Sequence, residues 1–484
     1  MEKGFTHKLN NLLGNLKNAG NLVAEKINDA LANIFYNDKL KDIAKETNFV
    51  QRSSSRIQGD EFVQAMVLAA VDPEVSPLSG INDNLREINS NAEMTNSALR
   101  QRLNSPQAQN FLKRVYQEVV KVKLEKMSRD LHTTCNSENK KGALEIFEKV
   151  LIHDSSSCAL NERLEKSFKG SGGAASKSQV KIDLIYDLKR NNAEEVIITD
   201  VSEPDQSLSS RIIKHISEGV LAIQDLGYFD VGVFENIETK GGFYLSRLLS
   251  TCLVYLKMED QKPIELGKHL KMLHENDQAL DIEVYITKKK FKTRLIAYPV
   301  PEEVFNKRRR EYNKKAKGTP SNELIARQQF TILITNVQKE VWSWEVVGTV
   351  YKIRWQIELI FKSWKSQLSI HYLKGINPER IRCLIYSRLI ATTVIFAIYH
   401  AISNKLCPVG YELSLFKFVN WLKRNGHFVN IILRGFNSSL WKSLTDRVDL
   451  LCKDTKRKRK TTRQHIDNEI PFLNTFSEMG RLYA

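Results

Sequence analysis

The chain has 484 residues, of which 42% are hydrophobic, so it is long enough for several folded units and is not an intrinsically disordered chain. Its 73 lysine and arginine residues outnumber its 56 aspartate and glutamate residues, which gives a formal net charge of +17. This excess favours a polyanionic partner, with nucleic acid as the first candidate, and an ordinary basic surface is the alternative.

The cysteines and the apolar segments indicate a cytoplasmic protein. The six cysteines are dispersed and form neither a CxxC pair nor a zinc-type spacing, which predicts a reduced environment. The N-terminal sequence MEKGFTHKLNNLLGNL lacks the continuous apolar segment of a secretory signal. The most apolar stretch, 384–402, contains Arg388 and His400, so we interpret it as a buried core helix and expect no membrane partner.

The first half of the chain divides into a helical region and a sheet-forming region. Residues 1–140 are expected to form a helical N-terminal DNA-binding region, because apolar residues recur about every 3.6 positions in NLVAEKINDALANIF, DEFVQAMVLAAV and FLKRVYQEVVKVKLEKM. Residues 141–250 contain the strand-like runs EKVLIHD, QVKIDLIYDL, EEVIITDV, GVLAIQD and GGFYLSRL. The first three follow one another directly, whereas helical segments precede the last two. This order predicts a mixed α/β sheet covered by helices.

The second half of the chain alternates strands and helices in a less regular way. Residues 251–328 include the strands DIEVYITKK and FKTRLIAYPV and the basic helix EEVFNKRRREYNKKAKG, which is either solvated or a DNA contact. Residues 329–405 contain the strand FTILITN, a long helix at 344–370 and the apolar helix. Residues 406–484 are expected to form a C-terminal helical region and a basic tail that contains KRKRK.

The long helix carries one acid among three cations and a phenol. At about 100° per residue, five side chains fall within about 80° of one another: Tyr351, Arg354, Glu358, Lys362 and Lys365. The opposite side is an apolar stripe suited to a core. The charged face is either a ladder of i,i+4 ion pairs, with Glu358 paired to Lys362 or Arg354, or a functional site.

Two aspartates follow apolar strands. Asp154 ends KVLIHD before the small polar turn SSSC, and Asp225 ends VLAIQD before Leu-Gly-Tyr. Ligand sites of α/β sheets form at strand ends, although aspartates also occur there for capping reasons alone. If the first strand continues, His153 points to the opposite face from Asp154 and has a structural role. Asp183 lies in mid-strand, where it is either a competing ligand or, as we expect, a residue that faces solvent from an edge strand.

Three carboxylates brought together favour cation binding. At about 4 Å apart they repel by about 4 kcal/mol per pair at an effective dielectric near 20. Two divalent cations about 3.5–4 Å apart can activate a nucleophile and stabilise a leaving oxygen in phosphodiester cleavage. Magnesium prefers oxygen ligands, so a few carboxylates suffice. Arg354, Lys362 and Lys365 would then face phosphates, and Tyr351 would stack or donate a hydrogen bond.

Several motifs resemble those of bacterial DDE-type insertion-sequence transposases, specifically the insertion-sequence-four group. The resemblance covers residues 48–460 and is carried by HDSSSCAL, FKGSGG, VKIDLIYDL, TDVSEPDQ, QDLGYFD, LITN and YKIRWQIELIFKSWKS. The last motif fits the group's Y-x2-R-x3-E-x6-K signature at every position. The resemblance implies a ribonuclease-H-like mixed sheet with flanking helices, interrupted by a β-rich insertion, with Asp154, Asp225 and Glu358 as catalytic metal ligands.

The resemblance also implies a reaction and its partners. These are two Mg²⁺ ions, for which Mn²⁺ can substitute, double-stranded DNA with terminal inverted repeats, a target DNA, and a homodimer in the synaptic complex. The sequence therefore predicts a cytoplasmic transposase, associated with the nucleoid when bound to DNA, that cleaves DNA and joins the 3′-OH ends to a target. The alternatives are a nuclease of the same core that never joins strands and an inactive DNA-binding protein.

Overall fold

A computed structural model of the chain provides the architecture. It describes residues 20–35, 38–52, 55–71, 77–92, 94–121, 143–172, 176–190, 192–274, 279–315, 320–367, 369–406 and 411–454. The basic tail with KRKRK and the first 19 residues lie outside the described residues.

The N-terminal region is helical, as its apolar periodicity predicts. Its helices are α1 (20–35), α2 (Asp38–Glu46), α3 (Gly59–Val71), α4 (Pro77–Ile88), α5 (Asn96–Leu103) and α6 (Pro106–Lys121). Thr95 caps α5 by accepting a hydrogen bond from the backbone N–H of Ala98. Helix α3 is apolar on most of its circumference, and it is correspondingly buried on most of its circumference.

A nine-stranded sheet forms the centre of the molecule, in the order β3-β2-β1-β4-β5-β9-β8-β7-β6. Its strands are β1 (Lys149–Ala159), β2 (Gln179–Asp187), β3 (Asn192–Asp200), β4 (Val220–Gln224), β5 (Phe243–Arg247), β6 (Val254–Tyr255), β7 (Leu280–Ile286), β8 (Phe291–Pro299) and β9 (Phe330–Thr335). Strands β1, β2 and β3 pair with one another in antiparallel fashion, whereas β4 and β5 run parallel to β1. This mixed sheet of three meandering strands and two crossover strands agrees with the predicted α/β class.

The crossovers of the sheet are less helical than the sequence predicts. Between β3 and β4, the segment expected to be one helix is a single turn, α7 (Asp205–Leu208), followed by a 3-10 helix (Ser209–His215). Between β4 and β5 lies α8 (Val231–Thr239), which Asp230 caps by accepting hydrogen bonds from two backbone N–H groups. The short connection keeps the chain close to the end of β4.

Residues 251–328 extend the same sheet. They contribute β6, α9 (Leu266–His274), β7, β8, α10 (Glu302–Lys315) and α11 (Asn322–Gln328). Strand β8 pairs with β9, and β9 pairs with β5, so the added strands are continuous with the first five. The basic sequence EEVFNKRRREYNKK is helical, as predicted, and is mostly exposed.

The long helix predicted at 344–370 is interrupted. It consists of α12 (Trp344–Tyr351), a 3-10 turn (Lys352–Arg354) and α13 (Trp355–Gln367). After it come α14 (Pro378–Leu406), β10 (Tyr411–Leu413), α15 (Leu415–Lys423), α16 (His427–Arg434), α17 (Ser438–Thr445), α18 (Val448–Leu451) and β11 (Cys452–Asp454). Ile353 and Ile357 are fully buried, and so the predicted apolar stripe does face the core.

Helix α14 joins the N-terminal and C-terminal helices to the sheet. It packs against α3 and α6, and one continuous hydrophobic core includes residues of all these regions. It is the one helix among the described residues that is long and apolar enough to cross a membrane, but 78% of its apolar window is buried inside the protein. This burial agrees with the prediction of a core helix.

Candidate active site

The two predicted aspartates lie at the same level, just past the end of the parallel pairing of β1 and β4. The parallel pairing of β1 and β4 ends at His153 and Gln224, and each aspartate is the next residue on its strand. Asp225 follows β4, as predicted. The prediction that Asp154 ends its strand is wrong, because β2 provides an antiparallel partner for β1 as far as Ala159. Asp154 therefore lies in mid-strand, beside the point where β4 stops.

Glu358 reaches this site from the helical side. It lies in the first turn of α13, one helical turn after Arg354. Helix α13 lies against β1, held by the buried side chains of Ile357, Phe361 and Trp364. The carboxylate of Glu358 is about one-third exposed and faces the aspartates across one guanidinium group.

All three acids contact Arg354. Its Nη1 lies 2.9 Å from Oδ2 of Asp154, its Nε lies 3.4 Å from Oδ1 of Asp225, and its Nη2 lies 2.6 Å from Oε1 of Glu358. The fold thus gathers three acids that are more than 60 positions apart in the sequence. The predicted i,i+4 pair of Glu358 with Arg354 exists, but it is one part of a larger cluster.

The electrostatics of the cluster favour a cation. Burial raises the pKa of Asp154 to about 7, and the negative charges of Asp225 and Glu358 add to this effect. The backbone N–H of Ser155, 2.8 Å from Oδ1 of Asp154, and the guanidinium of Arg354 oppose it. Burial works against the charge of Arg354, but the surrounding acids outweigh it and raise the pKa of Arg354.

The guanidinium keeps the carboxylates apart. Among the described residues no group of three or more acidic, histidine or cysteine side chains is assembled to hold a metal ion. The donor set nevertheless suits Mg²⁺, because the acids supply carboxylate oxygens at the end of an open cleft. A cation that replaced the guanidinium would meet the same three side chains.

A cleft of about 440 Å³ opens beside the acids. It is lined by Asp154, Ser155, Ser156, Glu358, Phe361, Lys362, Lys365 and His371. Lys362 is exposed, and Nζ of Lys365 donates a hydrogen bond to the carbonyl oxygen of Ser157 at 3.1 Å. Sequence reasoning missed His371, which follows the end of α13, and it placed Phe361 only in the core.

Three other residues considered in the sequence analysis do not line this cleft. The hydroxyl of Tyr351 is buried and has no hydrogen-bond partner among the described residues, and burial raises its pKa. His153 points to the opposite face of the sheet, as predicted, and is fully buried. The prediction that Asp183 faces solvent on an edge strand is wrong, because β3 is the edge and Asp183, on β2, is 2% exposed.

Comparison with known proteins identifies the domain in which these acids lie. The family model described as "Transposase DDE domain" matches residues 145–394, which include all three acids. The chain is 26% identical over 461 residues to the transposase for insertion sequence element IS231B of Bacillus thuringiensis subsp. berliner, with 91% of this chain and 94% of that protein covered.

Two further relatives show how far the likeness extends. The transposase for IS1151 of Clostridium perfringens is 28% identical over 386 residues, which cover 74% of this chain and 78% of the relative. The putative transposase InsL for IS186A of Escherichia coli (strain K12) is 33% identical over 108 residues, or 22% of this chain and 29% of the relative. The matched domain spans more than half of the sequence and contains the acid cluster, so the chain belongs to the DDE transposases of bacterial insertion sequences.

Proposed function

We propose that the protein binds the terminal inverted repeats of its insertion sequence, cleaves the DNA at the element ends and joins the freed 3′-OH ends to a target DNA. The observation that carries this proposal is the convergence of Asp154, Asp225 and Glu358 on one guanidinium beside an open cleft. Family membership supports the chemistry, because the matched domain belongs to DDE transposases.

The three acids are proposed as the catalytic residues and the ligands of two Mg²⁺ ions, for which Mn²⁺ would substitute. When bound, these ions would supply Lewis acidity for the attacking and leaving oxygens. Each acid is held by a different element of the fold: mid-strand β1, the end of β4 and the first turn of α13. This division lets the protein set the separation of the carboxylates through the packing of rigid elements.

Arg354, Lys362, Lys365 and Tyr351 are proposed to bind the DNA backbone. Arg354 has a guanidinium that suits bidentate contact with a phosphate, and a phosphate would draw it away from the carboxylates. Lys362 and Lys365 line the same cleft and would contact neighbouring phosphates. The hydroxyl of Tyr351 is buried without a partner among the described residues, so it would donate to a phosphate oxygen only after the groups that cover it move aside.

The reaction consists of two in-line substitutions at phosphorus. In the first, the oxygen of water forms a bond to the phosphorus at the element end, and the P–O3′ bond breaks to leave a 3′-OH. In the second, this 3′-oxygen attacks a phosphodiester of the target, so that a new P–O bond forms as a target P–O3′ bond breaks. The two steps balance without an added oxidant or energy source.

The proposed partners follow from the same reaction. The N-terminal helical region is proposed to recognise the inverted repeats, and the exposed basic helix α10 to contact the DNA backbone. A homodimer is proposed for the synaptic complex, because two element ends must be brought together. The cytoplasm, with its nucleoid, is the proposed location.

The test uses a duplex that carries the inverted repeats found beside the gene, together with a supercoiled target plasmid and Mg²⁺. The parent protein is expected to cut at the repeat ends and to produce joined plasmid products. Asp154→Ala, Asp225→Ala and Glu358→Ala are expected to bind the duplex without cutting it. The exposed-face variant Lys352→Ala serves as a matched control on the neighbouring 3-10 turn.

The outcomes separate the alternative functions. If the three variants cut as well as the parent, the assignment of the acids is wrong. Cutting without joined products would identify a nuclease of the same core. Binding without cutting by the folded parent protein would identify an inactive DNA-binding protein.

A further inference from the structure

Behind the acid cluster, on the other face of the sheet, lies a second polar cluster that is sealed from solvent. It consists of His153, Asp183, Gln224 and Tyr228, each of which is at most 2% exposed. Both carboxylate oxygens of Asp183 lie 3.1 Å from Nε2 of His153, and the hydroxyl of Tyr228 donates to Oδ1 of Asp183 at 2.5 Å. The imidazole and phenol rings are in contact, with their centroids 4.0 Å apart.

The hydrogen bonds of this buried polar cluster define one direction of proton donation. The amide nitrogen of Gln224 lies 3.4 Å from the carbonyl oxygen of Ser209, which can only accept. The same nitrogen lies 3.2 Å from Nδ1 of His153, so Nδ1 accepts as well. The proton of the neutral imidazole is then on Nε2, where it is donated to Asp183. Asp183 accordingly accepts from two neutral donors.

Every hydrogen-bond donor of the buried polar cluster lies within three residues of one of the proposed catalytic aspartates in the sequence. His153 precedes Asp154 in β1, and Gln224, the last residue of β4, precedes Asp225. His153 and Gln224 are register partners in the parallel pairing of β1 with β4. Tyr228 closes the 3-10 turn that begins after Asp225, and its backbone N–H donates to the carbonyl oxygen of Asp225.

The residue after Asp154 is anchored in the same way. The hydroxyl of Ser155 donates to Oδ1 of Asp205 at 3.0 Å, and Nζ of Lys181 donates to the same oxygen at 2.8 Å. Asp154 therefore stands between two neighbours whose side chains are both fixed on the opposite face of the sheet. Its own side chain is left to face the cleft.

We propose that the buried polar cluster is a positioning device that fixes the separation and orientation of Asp154 and Asp225 for divalent-metal binding, with Asp183 as its central positioning residue. This inference rests on the proposed function of those two aspartates. A buried carboxylate that only stabilised the fold could take partners anywhere in the core. Here it links β1 to the turn after β4 at the one level where the catalytic side chains leave those strands.

The physical reason for such a device is that metal ligands need support. Hydrogen-bonded groups behind the ligands orient them, and their loss costs about 10- to 100-fold in metal affinity or activity. Tyr228→Phe removes one hydroxyl oxygen from the buried polar cluster and keeps the ring that contacts His153. Asp183→Asn removes the charge that both donors share.

The experiment measures metal binding apart from catalysis. Mn²⁺ binding to the full-length protein is titrated by electron paramagnetic resonance, and cleavage rates are measured over a series of Mg²⁺ concentrations. We expect Tyr228→Phe to weaken Mn²⁺ binding about 10-fold and Asp183→Asn up to about 100-fold. Saturating Mg²⁺ is expected to restore most of the cleavage rate, because the chemical groups themselves remain.

The matched control is Tyr244→Phe. Tyr244 is equally buried, and its hydroxyl donates to Thr293 at 2.8 Å, in the neighbouring part of the sheet. If Tyr228→Phe and Tyr244→Phe require the same metal concentration, the positioning role is refuted, and this holds even if Asp183→Asn does not fold. If instead Asp154→Ala cleaves normally, the proposed function itself has failed, whatever the Tyr228 variant does.

Discussion

Two arginines in this molecule, Arg294 and Arg354, pair with carboxylates in different ways. Arg294 makes a bidentate pair with Asp281 through Nε and Nη2, with both N···O distances at 2.8 Å; Nη2 also donates to the carbonyl oxygen of Trp342, and Nη1 donates to that of Val337. Arg354 instead makes one short contact with each of three carboxylates from three elements. The first arginine has a closed set of partners, whereas the second balances an excess of negative charge.

The difference shows how to recognise an ion pair in which another cation can replace the arginine. The Arg294 pair is 8% and 9% exposed, so neither partner can be replaced from solvent without breaking the fold. Around Arg354 the acids reach 37% exposure, and two of them, Asp154 and Glu358, line a cleft. Three carboxylates around one guanidinium leave net negative charge, which a divalent cation would neutralise more fully.

The largest effect on activity is expected from Asp154→Asn, which removes a negative charge from the acids around Arg354 and keeps the shape of the side chain. Several kcal/mol of transition-state stabilisation depend on the metal site, so strand cleavage is expected to fall by ~10³-fold or more. Thermal unfolding should show a melting temperature no lower than that of the parent. A stable variant that still cleaves at the parent rate would remove Asp154 from the site.

Asp281→Ala is the corresponding substitution in the buried Arg294–Asp281 pair. It leaves the Arg294 charge buried and without its carboxylate, and the expected loss is about 3 kcal/mol in the free energy of unfolding. Urea denaturation measures this loss, and cleavage per folded molecule is expected to stay at the parent level. A fall in activity without a fall in stability would mean that the two arginines do not differ as described.

A smaller effect is expected from Arg354→Gln. A charge-assisted hydrogen bond contributes about 1.5–3 kcal/mol, and metal binding to the free protein must break such contacts. Mn²⁺ is therefore expected to bind the DNA-free variant at least ~10-fold more tightly than the parent, as measured by the metal-induced rise in melting temperature. Weaker binding by the variant would show that Arg354 assists the metal site and does not compete with it.

The smallest effect is expected from Lys365→Gln. Losing one phosphate contact reduces the slope of log binding constant against log salt concentration by about 0.9. Fluorescence anisotropy with a labelled duplex measures this slope, and Lys352→Gln, on an exposed side chain outside the cleft, is the control. Equal slopes for the two variants would place Lys365 outside the DNA contact.

Much of this arrangement could be predicted from the sequence because it depends on local periodicity. The 3.6-residue spacing of Ile353, Ile357, Phe361 and Trp364 predicts which side of the helix is buried, and therefore that Glu358 faces away from the core. The succession of β-branched runs predicts the strands, and the turn after VLAIQD predicts that Asp225 leaves the sheet there.

What could not be predicted depends on contacts between distant segments. The length of β1 beyond Asp154 is set by its register with β2, which no local pattern shows. Asp183 is buried because β3 pairs with the outer side of β2 and forms the edge of the sheet. A local sequence pattern does not show this strand order. That Arg354 reaches both Asp154 and Asp225 depends on the packing of α13 on β1, which an ideal-helix projection does not contain.

The continuity of the sheet from β5 through β9 to β8 has a consequence for how the protein can be divided. Strand β9 is hydrogen-bonded on both sides, and four of the six residues of its sequence FTILIT are apolar. Excision of residues 251–328 would remove β8 and expose a long apolar strand edge, which is a template for aggregation. We therefore expect that no smaller soluble catalytic fragment can be made by deleting this segment, and that the DNA contact proposed for α10 must be tested by substitution.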